Sequence, residues 1–409
     1  MFDLDSFVNT YVTKREQSMF AEDLGVHAEE LKFAIEGKSV LVIGGAGSIG
    51  SSFIRAILPF EPAEVVVVDT NENALTELTR RLRSSSVLSA FVPKIFLPYP
   101  MDYSSVTCKR MFQDHKRSNG MSGFDMVANF SAHKHVRSEK DIYSIEAMLR
   151  NNVIDAKGLL DLLEEYPPEV YFCVSTDKAA NPVNIMGASK RVMEDLVFAY
   201  SSSFPVKTAR FANVAFSNGS LPDGFLKRLA QRQPLSAPTD IKRYFVSLEE
   251  SGQICMLSAM TGVNRAIFFP KLSEETMVTF DAIARNLLGT MGHEIYECDS
   301  DEEALAMSRT WRDGQPYPVH FSASDTSGEK KFEEFFTEDE HVDLTTFEAI
   351  GVIKDKKLPD KAKLVEFVDA LDRVFDKAGC TKKDVVAVLR QYLHNFQHIE
   401  TDRNLDGKM

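Results

Sequence analysis

A short stretch near the middle of the chain places acidic and basic side chains directly after an apolar run. Asp177 and Lys178 follow Val170-Tyr-Phe-Cys-Val-Ser175, and Lys190 comes later in the same stretch. A carboxyl group beside an amine can exchange protons with a substrate if burial or neighbouring charges adjust their pKa values. Met186, between them and Lys190, cannot accept a proton. The stretch indicates acid–base chemistry, although adjacent Asp and Lys residues are more often solvated loop charges.

A glycine-rich turn precedes this stretch by more than a hundred residues. Gly44, Gly47 and Gly50 have the spacing GxxGxxG, after the apolar run 39–43 and before a predicted helix at 51–58. Glycine allows a tight turn and lets the backbone approach a pyrophosphate, which then lies at the helix N-terminus. The strand, turn and helix together predict a dinucleotide site formed by the segment Gly44, Gly47, Ser48, Ile49 and Gly50.

Acidic residues at the next two strand ends refine the cofactor prediction. Asp69 ends the apolar run 63–69. A carboxylate there binds both ribose hydroxyls of NAD and repels the 2′-phosphate of NADP. NAD is therefore expected, while the nearby Arg80 and Arg81 keep NADP open. Asp102 is a candidate partner for the adenine amino group.

Strands and helices alternate along the first half of the chain. Helices are predicted between strands, for example at 72–84 and 145–165. This alternation predicts an α/β fold, a doubly wound parallel sheet with right-handed crossovers. The predicted strands are 39–43, 63–69, 94–98, 124–130, 170–175 and 206–211.

The regular alternation of predicted strands and helices does not extend to the two ends of the sequence. We expect four regions. They are an N-terminal helical arm at 1–37, a Rossmann-type dinucleotide-binding domain at 38–215, a smaller mixed substrate-binding region at 216–355, and C-terminal helices at 356–409. The predicted C-terminal helices are 361–377 and 382–397, the second starting at a capping box of Thr381 and Asp384.

The composition excludes several classes of protein. The chain has 409 residues, and its net charge of −13 argues against a nucleic-acid partner. No stretch reaches the roughly 20 apolar residues of a membrane span, and no signal peptide is evident, so we expect a cytoplasmic protein. Five scattered cysteines predict free thiols. His394 and His398 lie four apart on a predicted helix without a third ligand, so no metal site is expected.

The run Val174–Lys190 closely resembles the UDP-N-acetylglucosamine 4,6-dehydratases of the polysaccharide biosynthesis type, which are extended short-chain dehydrogenases/reductases. Met186 stands where most of that superfamily has Tyr, as in some branches of the family. Thr326 replaces an Arg usual in the family. The resemblance extends over residues 37 to 345 and includes further motifs at Ser131–Val136, Asn152-Val153, Arg210–Val214, Arg243–Val246 and Gly328–Glu333.

The resemblance implies roles for the central stretch in removing water from a UDP-sugar. Thr176 would orient O4, Asp177 would protonate O6, and Lys178 would act at C5. Lys190 would hold the nicotinamide ribose, and Ala132 would also contact the cofactor. Because Met186 cannot act as a base, we hypothesise that Asp177 or an ordered water takes the O4 proton. The substrate-side candidates are Lys134, Arg210, Asn213, Ser217, Asn218, Ser220, Arg243 and Glu329.

Two other functions remain open from the sequence. A nucleotide-sugar 4-epimerase or simple oxidoreductase would use the same cofactor, but it would have no need of the elimination acid and base at Asp177 and Lys178. A non-catalytic NAD-binding protein would explain the missing Tyr. A homo-oligomer is expected because extended members of the superfamily often associate through their helices.

Overall fold

The computed structural model describes residues 2–135, 139–324, 333–394 and 396–398. The strands of these residues are β1 (Ser39–Ile43), β2 (Glu64–Asp69), β3 (Ile95–Pro100), β4 (Met126–Asn129), β5 (Val170–Thr176), β6 (Val206–Phe211), β7 (Asn213–Val214), β8 (Leu235–Pro238), β9 (Lys242–Arg243), β10 (Phe245–Val246), β11 (Ala266–Pro270), β12 (Val278–Thr279), β13 (Ile295–Glu297), β14 (Tyr317–Ser322), β15 (His341–Asp343) and β16 (Ile350–Lys354).

Fifteen α-helices accompany these strands within the same described residues. They are α1 (Leu4–Phe7), α2 (Ala21–Val26), α3 (Ala28–Ile35), α4 (Ser48–Ile57), α5 (Glu72–Ser84), α6 (Val106–Asp114), α7 (Ile142–Leu149), α8 (Asp155–Glu165), α9 (Ile185–Ala199), α10 (Leu221–Ala230), α11 (Leu248–Met260), α12 (Phe280–Thr290), α13 (Asp301–Ser308), α14 (Lys361–Phe375) and α15 (Lys382–Tyr392). Among them, none has the length and apolar content needed to cross a bilayer.

Nine strands form the main sheet, in the order β15-β16-β11-β6-β5-β4-β1-β2-β3. The strands from β3 to β11 run parallel, while β16 and β15 are antiparallel additions at one edge. The predicted doubly wound α/β fold is confirmed. All six predicted strands are present, and β1 and β6 have the predicted bounds.

Residues after position 215 also contribute to this sheet. β11, β15 and β16 come from the region predicted to bind substrate. The sheet therefore crosses the boundary predicted at residue 215. The alternation of strands and helices does not predict this return, because small sheets and helices separate these strands from one another in the sequence. The small sheets are β13-β14-β8, β10-β7 and β12-β9.

Both faces of the main sheet are covered by apolar side chains. In β1, Leu41 and Ile43 pack into one core cluster, whereas Val40 and Val42 pack into the other. Because successive residues of a strand point to opposite faces, a continuous apolar run places a hydrophobic layer on each side. A third cluster lies beneath the small three-stranded sheet and includes Phe7 of the N-terminal arm.

The C-terminal helices lie over the helical face formed by α7, α8 and α9. Leu364 of α14 and Val385 of α15 join the same core cluster as residues of α9. The capping box of Thr381 and Asp384 is confirmed. The predicted extension of the second helix to residue 397 is wrong, because α15 ends at Tyr392 and its cap residue, Leu393, leaves helical geometry. His394 and His398 therefore do not share a helix.

An ion network with a fully buried centre connects the main sheet to the segments around β15 and β16. Arg210 of β6 is 0% exposed. Its guanidinium donates to both carboxylate oxygens of Glu194 at 2.8 Å, and to those of Glu340 at 2.7 and 2.8 Å. Lys356 lies 3.3 Å from Glu194. Burial alone would raise the pKa of Glu194, but the charges of Arg210 and Lys356 hold that pKa well below its ordinary value.

We expect Arg210→Met to lower the free energy of unfolding by about 3–5 kcal/mol, because it leaves Glu194 buried without its main partner. Arg285 also pairs with two carboxylates but is 39% exposed, so Arg285→Met should cost about 1 kcal/mol or less. Because the pKa of Glu194 is depressed, the stabilisation is present at neutral pH and is lost as the pH falls. Urea unfolding at several pH values measures both variants. Equal effects of the two substitutions would contradict the central role of the network.

Candidate active site

The glycine turn lies at the carboxyl end of β1, between β2 and β4. Gly44 has φ +69°, and a Cβ there would lie 2.7 Å from the backbone nitrogen of Ser131. A Cβ on Gly50 would lie 2.5 Å from the carbonyl oxygen of Gly44. Both positions therefore require glycine. Gly47 is less restricted, since its nearest contact would be 3.3 Å away.

The start of α4 is arranged to bind an anion. Gly47 is its N-cap residue and makes no side-chain cap, so the N–H groups of the first turn lack that partner. The helix dipole adds a partial positive charge at the same end. β1 is the switch point of the sheet, since the chain proceeds from it to β2 on one side and later to β4 on the other. These features fit the pyrophosphate of a dinucleotide.

Asp69 and Asp102 are the carboxylates predicted to bind the adenosine half of the dinucleotide, and each accepts hydrogen bonds from residues close to it in the chain. Asp69 ends β2 and accepts hydrogen bonds from the backbone N–H groups of Ala46, at 3.1 Å, and Asn71, at 2.9 Å. It therefore supports the glycine turn, and its remaining lone pairs suit ribose hydroxyls. Asp102 accepts from the N–H of Ser104 at 2.8 Å and from its hydroxyl at 2.9 Å. Its contact with adenine stays a prediction.

The segment after β4 lies against a π-helical turn, Arg150–Ile154, between α7 and α8. Asn152 in this turn accepts from the N–H of His133 at 2.9 Å and donates to Ser189 of α9 at 3.1 Å. The first of these bonds fixes the backbone directly after the half-buried Ala132. Lys134 follows in the same segment and is exposed.

The acidic and basic pair lies at the end of β5. Asp177 and Lys178 begin a single 3-10 turn, Asp177–Ala179. The Thr176 hydroxyl donates to Asp177 at 2.6 Å, and the Lys178 side-chain nitrogen lies 3.2 and 3.3 Å from the two Asp177 oxygens. Asp177 is 5% exposed, whereas the Lys178 side chain is 31% exposed. The carboxyl group is therefore held inside, and the amine faces more open space.

Helix α9 is buried along almost its whole length and carries the next two predicted residues. Lys190 donates to the carbonyl oxygen of Val174 at 3.1 Å, and burial lowers its pKa to about 8. The Met186 side chain joins the main core cluster. Its backbone N–H donates to Glu139 at 2.9 Å, and Glu139 lies 3.5 Å from His398.

A small pocket lies between this pair and Arg243 of β9. Glu333, whose side chain is 3% exposed, enters it from the opposite side. It accepts from Asn213 at 2.5 Å and from the N–H of Tyr244 at 3.1 Å, and Arg243 lies 3.8 Å away. Burial, and then the charge of Asp177, raises the pKa of Glu333 to about 7. The pocket is lined by Asp177, Lys178, Asn181, Val183, Asn184, Arg243 and Glu333.

The predicted substrate residues take different positions. Asn213 and Arg243 meet at Glu333 beside the pocket. Ser217, Asn218 and Ser220 form a loop against the glycine turn, where the N–H of Asn218 donates to Ser48 at 2.8 Å and Ser220 caps α10. Glu329 lies outside the described residues.

The role predicted for Arg210 requires a correction. All five of its N–H groups donate to Glu194, Glu340 and the carbonyl oxygen of Phe335, so no donor is left for a substrate diphosphate. A sequence motif with Arg cannot distinguish a ligand-facing guanidinium from one that is neutralised in the core.

Sequence reasoning did not select several residues of the pocket. Glu333 lies in a recognised motif, but its distance along the chain from Asp177 hides their proximity. Asn181 and Asn184 lie in the central stretch, where Asn184 caps α9. The spacing of Glu194, four residues after Lys190, would place it on the same face of a predicted helix.

Comparison with protein families and characterised relatives gives a consistent result. Residues 40–355 match the model of the family described as polysaccharide biosynthesis protein. The probable polysaccharide biosynthesis protein EpsC of Bacillus subtilis is 27% identical over 68% of this chain, which spans only 45% of EpsC. UDP-N-acetylglucosamine 4,6-dehydratase (inverting) of Campylobacter jejuni is 26% identical over 63% of this chain and 73% of its own length. UDP-glucose 4-epimerase of Rickettsia canadensis is 24% identical over 72% and 88%.

Solved structures share the fold. Pen from Bacillus thuringiensis aligns with a TM-score of 0.60 at 18% identity, covering 80% of this chain and 90% of Pen. DesIV, a dTDP-glucose 4,6-dehydratase from Streptomyces venezuelae solved with NAD, aligns with a TM-score of 0.51 at 19% identity, covering 70% and 88%. At these identities the likeness supports the architecture alone.

We expect Gly50→Ala to weaken NAD binding at least about tenfold, a loss of roughly 1.4 kcal/mol, because the new methyl group would displace the turn. Gly158 of α8 has open space around its Cβ position, so Gly158→Ala should leave binding unchanged and add about 0.5–1 kcal/mol of stability. Calorimetric titration with NAD and urea unfolding measure these effects. Unchanged affinity in the Gly50 variant would contradict a cofactor site at this turn.

Proposed function

The chain belongs to the polysaccharide biosynthesis protein family, and on this premise we propose that it removes water from UDP-N-acetylglucosamine to give a UDP-4-keto-6-deoxy sugar. The observation that carries the proposal is the buried Asp177 carboxyl paired with Lys178 at 3.2 Å, at the pocket and at the carboxyl edge of the sheet. Elimination needs an acid and a base at one place, and this pair supplies both. The named activity of the Campylobacter relative supports the same choice.

We propose NAD as the cofactor. It would take a hydride from C4 of the sugar and return it to C6, so that no net oxidation occurs. The N–H groups at the start of α4 would bind its pyrophosphate, and Asp69 would accept from the adenosine ribose hydroxyls. Lys190 would hold the nicotinamide ribose from the far side of the crevice.

The residues of the central stretch divide the proton transfers. Thr176 would orient O4, and Asp177 would take its proton in place of the absent Tyr. Lys178, as the free amine, would remove the proton from C5. The resemblance further implies that Asp177 protonates the departing O6. On the substrate side, Arg243 beside the pocket would bind a diphosphate oxygen.

A 4-epimerase is the second candidate, favoured by the Rickettsia relative named for that activity. Epimerisation would use the same cofactor and the same base at O4. Because epimerisation at C4 does not remove the C5 proton, Lys178 would have no role at C5. We therefore prefer dehydration.

Incubation of the protein with UDP-N-acetylglucosamine, followed by mass spectrometry and NMR, separates the candidate functions. We expect a product that has lost one water and carries a 4-keto group. An isobaric sugar would instead identify an epimerase. Unchanged substrate across several UDP-sugars, with NAD bound, would indicate a non-catalytic protein.

We expect Asp177→Asn to prevent both reduction of bound NAD and loss of water, lowering each rate at least about 100-fold, because the amide cannot accept the O4 proton. Asp376→Asn, an exposed substitution after α14, serves as the matched control and should change neither rate. Stopped-flow absorbance of NADH and product NMR measure the two steps. If the Asp177 variant still forms NADH on mixing with substrate, another group is the base at O4.

We expect NAD to bind more tightly than NADP, because the Asp69 carboxylate would repel a 2′-phosphate. Asp69→Ala should weaken NAD binding and reduce the preference over NADP at least about tenfold. Titration of both cofactors, with Asp114→Asn as a control at a distant acidic position, measures the change. A wild-type preference for NADP would contradict the assignment.

A further inference from the structure

Two carboxyl groups, not one, reach the candidate pocket. Asp177 enters from the end of β5, and Glu333 enters from the segment that precedes β15. Both are nearly inaccessible, with exposures of 5% for Asp177 and 3% for the Glu333 side chain. Two buried carboxyls beside one pocket cannot both be charged without a large energetic cost. Their surroundings decide which of them keeps a proton.

Asp177 is placed to receive a proton from the substrate. The Lys178 nitrogen lies 3.2 and 3.3 Å from its oxygens, and the Thr176 hydroxyl donates at 2.6 Å. A sugar hydroxyl oriented by Thr176 would therefore lie beside the Asp177 carboxyl, whose oxygens can accept its proton.

The environment of Glu333 is less favourable to charge. The groups that donate hydrogen bonds to it are neutral, the Asn213 amide and the N–H of Tyr244, and the Arg243 Nε lies 3.8 Å away. The charged groups that face it are Asp177, Lys178 and Arg243. Burial and the negative charge of Asp177 raise its pKa to about 7, while Lys178 and Arg243 partly oppose the shift. Glu333 is therefore protonated below about pH 7, a range in which an ordinary glutamate is ionised.

We propose that Glu333 is the catalytic acid that protonates the departing C6 oxygen, and that Asp177 serves only as the base at O4. The inference rests on the dehydration proposed for this site. It assigns to two carboxyls the two transfers that the resemblance would give to Asp177 alone. The division follows a general pattern in which paired carboxyls acquire opposite protonation states and opposite roles.

The proton transfers balance. Asp177 would take the O4 proton as the C4 hydride leaves the sugar for the bound NAD. Lys178, as the neutral amine, would then take the C5 proton, the C5–H electron pair would form the C5–C6 double bond, and the C6–O bond would break. The leaving oxygen would take the proton of Glu333 and depart as water. Once C6 had regained the hydride, Lys178 would return its proton to C5.

One transfer remains to restore the resting state. After the sugar has reacted, Asp177 carries a proton and Glu333 is ionised. A proton moving from Asp177 to Glu333, within the pocket that they share, regenerates both. The net change is the loss of one water from the sugar.

Glu333→Gln tests the assignment in the full-length protein with UDP-N-acetylglucosamine. We expect NADH formation within about threefold of wild type, loss of water slowed at least about 100-fold, and KM nearly unchanged. Glu338→Gln, at an exposed carboxyl of the same segment, is the matched control and should leave all three values unaltered. Rapid-quench analysis and NADH absorbance separate the steps.

The pH dependence supplies a second readout. Because the acid must be protonated, water loss in the wild type should fall as the pH rises through about 7, and Glu333→Gln should lack this decline. Glu333→Asp retains a carboxyl group and should keep a pH-dependent decline, which covers the case in which the Gln variant does not fold. Infrared spectroscopy should show a protonated carboxyl at neutral pH that Glu333→Gln lacks.

Several results would overturn the proposal. A raised KM with unchanged kcat in Glu333→Gln would mean that Glu333 only positions Arg243. If the infrared spectrum showed Glu333 ionised at pH 6, Glu333 could not be the acid that protonates the departing oxygen. If wild type itself dehydrates no UDP-sugar, the proposed function fails and the O6 assignment fails with it. That failure is seen in the wild type, whereas the others are seen in the variant or the spectrum.

Discussion

Parallel strands end together, and this constraint places all the chemical groups of the protein at one edge. The glycine turn follows β1, Asp69 ends β2, and the Asp177–Lys178 pair follows β5. Because β1, β2 and β5 are buried along most of their length, their side chains pack in the core until the strand ends. Polar groups that act on a ligand must therefore lie just beyond the last buried residue. The position of β1 between β2 and β4 then opens a crevice there.

The second half of the chain completes that edge from the other side. β11, β15 and β16 extend the sheet, and the segment before β15 carries both Glu333 and Glu340. Glu340 is fixed by Arg210 inside the protein, while Glu333 reaches the pocket. The buried network thus positions the segment whose other carboxyl faces Asp177. This arrangement links the stability of the edge to the geometry of the candidate site.

Charge distribution gives the pocket its chemical character. At one pocket the protein holds a carboxyl beside the Lys178 amine and another beside neutral hydrogen-bond donors. Low exposure strengthens the electrostatic influence of each neighbour, because little water screens it. Two groups of the same chemical type can then occupy opposite protonation states at the same pH. A single Asp with a solvated Lys would lack this difference.

The sequence alone determined the parts that depend on local pattern. The six parallel strands, the glycine turn at Gly44 and Gly50, and the capping box of α15 follow from neighbouring residues, because strand burial, tight turns and helix caps are decided within a few positions. Tertiary structure decided what depends on contacts between distant residues. Arg210 is neutralised by Glu194 and Glu340, and Glu333 meets Asn213 and Arg243. A side chain's type does not reveal whether folding will bury it beside an opposite charge, a like charge or a ligand, and that choice determines its role.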